Sequence, residues 1–140
     1  MDGYEIRTSM PDGSQFIALL QAFRSTGGTT TEKVVSGLLS EHRYAGNDSL
    51  NSLIGAGQVF GFVWRRDLWI PMFQFDTDLL SIKPAVQEVR ASLPASWSGW
   101  TTASWFAHPQ DALCGGRPVD LLDDDLEALI AAAAASAAVA

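Results

Sequence analysis

Two histidines, one cysteine and a run of three aspartates are the first side chains in this 140-residue chain to weigh for bond-breaking or metal chemistry. His42 and His108 lie in different halves, with no carboxylate at the spacing of an HExxH metal helix. His108 precedes Pro109 at a predicted helix end, where an imidazolium suits the C-terminal dipole. Asp123-Asp124-Asp125 lacks the spaced acids and the glycine of a calcium loop. The run reads instead as a helix start, where exposed N–H groups favour carboxylates. Cys114 has no His or Lys beside it to stabilise a thiolate. A single cysteine builds neither an internal disulfide nor a thiolate zinc site. Gly27-Gly28 is not followed by a Walker pattern, and Gly55-x-Gly57 lacks the third glycine and preceding strand of a dinucleotide fingerprint. Nucleophile, base and ligand sets are all missing, so the expectation is a protein that is not an enzyme and holds no metal or cofactor.

Binding chemistry is better represented. Acids outnumber bases 16 to 9, a formal charge of −7. That excludes a strong non-specific nucleic-acid binder, which neutralises phosphates with Lys and Arg. The imbalance lies in the second half: residues 1–70 carry seven acids and six bases, residues 71–140 nine and three, with five acids inside 120–127. Hydrophobic residues at 47% and charged residues at 18% describe a chain that buries a core. No run of about 18 apolar residues is present, so no membrane span is expected. Residues 1–15 lack the apolar stretch of a signal peptide, which points to a cytoplasmic protein.

The elements that must position these groups follow from periodicity. Phe16, Ile17, Leu19, Leu20 and Phe23 recur at helical spacing until Gly27-Gly28. Thr29 reads as an N-cap with Glu32 at N3, opening a helix that buries Val34, Val35, Leu38 and Leu39. After Gly46-Asn47, Asp48 is placed to cap a short helix with Leu50, Leu53 and Ile54. Aromatic and β-branched runs at 59–64 and 68–70, around Arg65-Arg66-Asp67, predict a β-hairpin. Three short helices and a hairpin outline a winged helix, whose second helix-turn-helix helix offers polar groups to the major groove. Here that helix offers Ser49, Asn51, Ser52 and Gln58 to DNA, with Arg65 and Arg66 at the wing tip for phosphates. Two arginines give little counterion release, so a helical scaffold with an exposed polar face is the competing reading.

The second half reads as all helical. Pro84 suits the first position of a helix carrying Val86, Val89 and Leu93, ended by Pro94. Ser98 caps a helix with Trp100, Ala103, Trp105 and Phe106, which stops before Pro109. Pro118 opens another turn with Val119, Leu121 and Leu122. A final helix starts at the aspartates, carries Leu126, Leu129 and Ile130, and runs into an alanine-dominated end at 131–140. Trp97, Trp100 and Trp105 are read as core or as anchors at a protein interface, where Trp is enriched. Trp69, Phe73 and Phe75 are placed to join the two halves beneath the hairpin. Asp76-Thr77-Asp78 is the candidate hinge. The expected fold is mainly α with one β-hairpin: a winged-helix-like unit at 1–75, then a small four-helix bundle at 76–140, with the hairpin aromatics pooled with Trp100 and Phe106 in one core.

The run from Trp105-Phe106-Ala107-His108-Pro109 to Leu113-Cys114-Gly115-Gly116-Arg117-Pro118-Val119-Asp120-Leu121-Leu122 resembles the C-terminal toxin-binding domain of the Xre/MbcA/ParS antitoxins. That family's pattern is a Trp, a Pro a few residues on, then L-x-G-x-x-P and a leucine pair. The upstream Pro71-Met72-Phe73-Gln74-Phe75-Asp76, followed by Pro84-Ala85-Val86, is similar to the family version with a proline-x-FQF segment. The resemblance covers roughly residues 70–130. It implies an antitoxin that neutralises a RES-domain toxin, an enzyme that consumes NAD or transfers ADP-ribose from it, in a complex that represses its own operon. On that reading Trp105, Leu113, Arg117, Asp120, Leu126, Leu129 and Ile130 shape or contact the toxin surface, in a homodimer or hetero-complex. The acidic second half fits a cleft built for an anionic cofactor. The alternative is an orphan DNA-binding regulator whose second half only dimerises.

Overall fold

The computed structural model describes residues 11–41, 49–76 and 81–138. A reciprocal capping box opens α1 (Gly13–Ala22): Asp12 Oδ1 accepts from the Gln15 backbone at 2.8 Å, and Gln15 Oε1 from the Asp12 backbone at 2.9 Å. A 3-10 turn follows, ending at left-handed Gly27. The chain then forms β1 (Thr29–Thr31), α2 (Glu32–Glu41), α3 (Leu50–Gly55), β2 (Phe62–Trp64) and β3 (Asp67–Pro71). The strands make an antiparallel sheet in the order β1-β3-β2, with Thr31 opposite Trp69 and Trp69 opposite Phe62. Helix, strand, two helices and two strands follow in order among the described residues, and the first strand pairs with the last. Arg65-Arg66 forms the turn between β2 and β3.

Alternation along the sheet separates two apolar layers. Phe62 and Trp69 face α1, where Trp69 meets Phe16 edge-on at 5.1 Å. Ile70 and Leu68 face the opposite way, against Val35, Leu39, Leu50 and Leu53 of α2 and α3. The first layer continues into the rest of the chain: α4 (Pro84–Ser92), α5 (Gly99–Ala107) and α6 (Leu126–Ala138). Phe106 of α5, fully buried, lies 4.8 Å from Phe73 and stacks at 6.2 Å on Phe60. Trp100 meets Phe62 edge-on at 5.2 Å. Backbone meets backbone where α5 begins, since a Cβ on Gly99 would lie 1.8 Å from the Gly61 carbonyl oxygen. The molecule is mainly α with a small antiparallel sheet, and the hairpin aromatics pool with Trp100 and Phe106 as expected. Among the described residues, no helix is long and apolar enough to cross a membrane.

Several expectations are corrected. Thr29 is not an N-cap. Thr29, Thr30 and Thr31 pair with Pro71, Ile70 and Trp69, and α2 starts only at Glu32. Threonine serves both caps and strands, and the available partner strand decides between them. Val34 is 50% and Ile17 55% exposed, because the buried stripes run through Val35 and Leu39 and through Phe16 and Leu19. The second half is not all helical: β4 (Phe75–Asp76) pairs with β5 (Ser81–Ile82), and 118–121 is a 3-10 turn. Phe75 packs with Ile82 in the α2–α3 layer, a second core that the one-core expectation left out. Gln58 lies beyond the end of α3. Asp48, His42, Gly46-Asn47, Thr77 and Asp78 are outside the described residues. Phe75 and Asp76, on either side of the predicted domain boundary, share one strand.

Candidate functional site

The Trp…Pro…L-x-G-x-x-P segment folds into a closed loop that launches α6. Ser98 caps α5 by accepting from the Thr101 backbone at 3.2 Å, and α5 ends before Pro109, as read from the sequence. His108 Nδ1 lies 2.7 Å from the Ser104 carbonyl. The Gln110 backbone N–H then donates to Gly116 O at 3.0 Å, closing the loop. The Gln110 side-chain amide donates to the carbonyls of Trp105 at 3.1 Å and His108 at 3.2 Å. At the loop tip Cys114 and Gly115 are both left-handed (φ 56° and 83°), a conformation with little steric penalty only for the glycine. Pro118 starts the 3-10 turn, whose fixed φ suits that position. Asp125 Oδ1 accepts from the Ala128 backbone at 3.2 Å at the start of α6. Trp105 holds the far end of that helix: Nε1 donates to Ser136 Oγ at 3.0 Å, and Ser136 donates on to Ala132 O.

The seven residues expected to shape a partner surface divide by burial. Trp105 (6% exposed) and Leu129 (0%) are core. Leu113, Leu126 and Ile130 are half-buried against that same core. Arg117 turns back into the protein. Nε and Nη2 donate to both Asp120 carboxylate oxygens at 2.8 and 2.9 Å, and Nη1 donates to Ala22 O at 2.7 Å. The last bond sets a cation on the C-terminal end of α1, a favourable place for one. The Asp120 hydrogen bond raises the Arg117 pKa above its ordinary value, against a smaller opposing effect of burial. Asp120, Asp123, Asp124, Asp125 and Glu127 are exposed along this end of the molecule. Asp123 meets Lys83 at 3.4 Å with its own side chain 79% exposed, a loose pair. The two lie on a cleft of about 510 Å³ between the Ser25–Gly27 turn and Asp76, over Phe73, Phe75, Val119 and Leu122. A smaller groove of about 180 Å³ separates α1 from α5 and is lined by Ala18, Ala22, Trp100 and His108.

The winged face is built separately. Ser49 caps α3 by accepting from the Ser52 backbone at 3.2 Å, and the two hydroxyls bond at 3.1 Å. Asn51 is exposed beside them, and Leu50 and Leu53 are buried on the opposite side of the helix. Arg65 and Arg66 are exposed at the wing tip. Arg65 takes φ 60° and lays its guanidinium 4.5 Å over Trp64, which itself stacks on Phe16 at 3.9 Å. A positive φ outside glycine is uncommon, so the turn carries some strain.

Sequence reasoning missed Gln74 as a structural hub. It is wholly buried, accepts from Phe60 N at 2.9 Å, and donates to Phe60 O at 2.8 Å and Pro71 O at 3.0 Å. The signal was present, since an amide between two phenylalanines must find partners wherever they go. Phe73 and Phe75 enter different apolar layers, one on each side of this hub. Arg90, also passed over, reaches Gly57 O at 3.1 Å. Compared with protein-family models, curated proteins and solved structures, the chain finds no match, so the family resemblance rests on the quoted residues.

Proposed function

We propose that this protein is antitoxin-like: its C-terminal half binds and neutralises a RES-domain toxin, and its winged unit contacts operator DNA. The observation that carries the reading is the closed loop at 105–118. The residues of the resemblance have distinct, mutually dependent jobs there, with Trp105 and Pro118 setting both ends of the support for α6. On this reading Trp105, Leu113 and Leu129 hold the partner surface in shape from beneath. Asp120, the exposed edges of Leu126 and Ile130, and the neighbouring aspartates touch the toxin. Exposed carboxylates at that end suit a toxin cleft made for an anionic cofactor. Arg117 orients Asp120 and closes the loop against α1. The protein itself supplies no catalysis.

The test is capture of the tagged full chain from its own cells at native expression, with bound proteins identified by mass. A stoichiometric RES-domain protein sustains the proposal, and co-expression then rescues growth from the toxin. A clean lane refutes toxin neutralisation. The second reading, an orphan regulator, is favoured by the winged-helix topology with Ser49, Asn51, Ser52, Arg65 and Arg66 all exposed. It requires operator binding that weakens steeply with salt, without a toxin partner.

A further inference from the structure

α4 carries one charged side chain that reaches across to the winged unit. Half-buried Arg90 donates from Nη1 to Gly57 O and lays its guanidinium 4.7 Å over the Phe60 ring. No carboxylate pairs with it among the described residues. Burial alone lowers its pKa below the ordinary arginine value. This charge is partly desolvated without an ion-pair partner, where an apolar side chain would pack at less expense. What it gains is reach to the segment 56–61, which joins the end of α3 to the start of β2.

Turns back onto α3 hold the near end of that segment: Ala56 and Gly57 donate to Ser52 O and Ile54 O at 2.9 and 3.0 Å. Gln58 and Val59 both donate back to Leu53 O, at 2.9 and 3.3 Å. Beyond these bonds, Gln74 holds both backbone groups of Phe60, the Phe60 ring stacks on Phe106, Val59 is buried, and Gly61 lies against Gly99. The exit of α3 and the entry to β2 are therefore held in part from elsewhere in the chain: Gly57 by Arg90 of α4, Phe60 by Gln74 and Phe106, and Gly61 by Gly99 of α5. We propose that Arg90 is a positioning residue for the nucleic-acid face, fixing α3 relative to the wing by holding Gly57 and Phe60 against the C-terminal helices. The proposal rests on the DNA-contact part of the function above. It makes the angle between Ser49–Ser52 and Arg65-Arg66 a property of the whole chain.

The test uses the full-length protein, Arg90→Met and Arg90→Lys. Methionine keeps the stem and loses the donor and the charge; lysine keeps a cation over Phe60 and one donor. Three quantities are read: urea stability, amide exchange at Gln58 and Val59, and affinity at low salt for DNA duplexes of about two helical turns that tile the region upstream of its own coding sequence. In Arg90→Met, exchange at Gln58 and Val59 should rise about tenfold or more beyond any change in α5 and α6. Duplex affinity should fall several-fold, and Arg90→Lys should restore much of both. Exchange that is unchanged, or that rises in step with every protected amide, overturns the proposal. So does a loosened segment with undiminished duplex binding. If the wild type binds no duplex, the DNA-contact reading falls with it and so does this role for Arg90; loosened exchange then marks Arg90 as a brace for the segment only.

Discussion

Replacing Gly99 with alanine tests a place where backbone meets backbone. Gly99 opens α5, and a Cβ there would sit 1.8 Å from Gly61 O, 2.8 Å from Gly61 C and 3.4 Å from Phe62 Cα. A carbon-to-oxygen contact needs about 3.3 Å, so helix and strand must part by about 1.5 Å. Neither side can yield by turning a rotamer, because both are backbone. The opening would also draw Phe62 from the edge of Trp100, a contact now at 5.2 Å. Overpacking typically costs 1–3 kcal/mol, and this geometry belongs at the upper end, about 3 kcal/mol. For a chain of this length the unfolding entropy is roughly 0.3 kcal/mol/K, so Tm should fall by about 10 °C. Gly37, in the middle of α2 with nothing within 4 Å of a built Cβ, is the control. Gly37→Ala should stabilise by about 0.5–1 kcal/mol through helix propensity and lost unfolded-state freedom. Urea unfolding followed by tryptophan fluorescence measures both variants. If Gly99→Ala lies within about 0.5 kcal/mol of wild type at unchanged m, α5 and β2 do not meet backbone to backbone and the reasoning is wrong.

Gln74→Leu should destabilise by about 2–4 kcal/mol, since it orphans the Phe60 N–H and two carbonyls in the core; a loss under 1 kcal/mol by urea titration would show that water reaches that hub. Trp105→Phe should cost about 1–2 kcal/mol and speed amide exchange at the end of α6, and adding Ser136→Ala to it should cost little more, because the two side chains share one hydrogen bond. Additive losses would mean that the bond contributes nothing. Arg65→Ala with Arg66→Ala should reduce the slope of log affinity for operator DNA against log salt by roughly two, one per phosphate contact. An unchanged slope would remove the wing tip from the interface.

Local signals in the chain were legible wherever one residue determines one local geometry. Pro84 and Ser98 mark helix starts because a fixed φ and a hydroxyl acceptor act within a turn, and the structure has both helices there. Arg65-Arg66 falls at the turn because the flanking aromatic and β-branched runs leave no other place for it. Gly99 was illegible, since its constraint comes from Gly61, far off in sequence and made adjacent only by the fold. The threonines of β1 misled for the same reason: what decides their state is Trp69 and Ile70 across the sheet. At the candidate surface, residue type alone decides less. Trp105 and Leu129 are apolar at motif positions, and type alone does not say whether such a side chain packs inward or waits for a partner. Their burial makes both of them core residues. The acids between them are exposed, as their charge requires.

The loop closed by Gln110 and Gly116 carries the chain's single cysteine at its tip, exposed and left-handed. A thiol-reactive dye there would sit on a short, internally bonded segment rather than on a swinging side arm. Its emission would report docking at the Leu113–Arg117 edge without a reporter residue having to be engineered in. Paired with the tryptophans as energy donors, the same dye would give a distance ruler from the loop to the core, readable in the intact protein as a partner arrives.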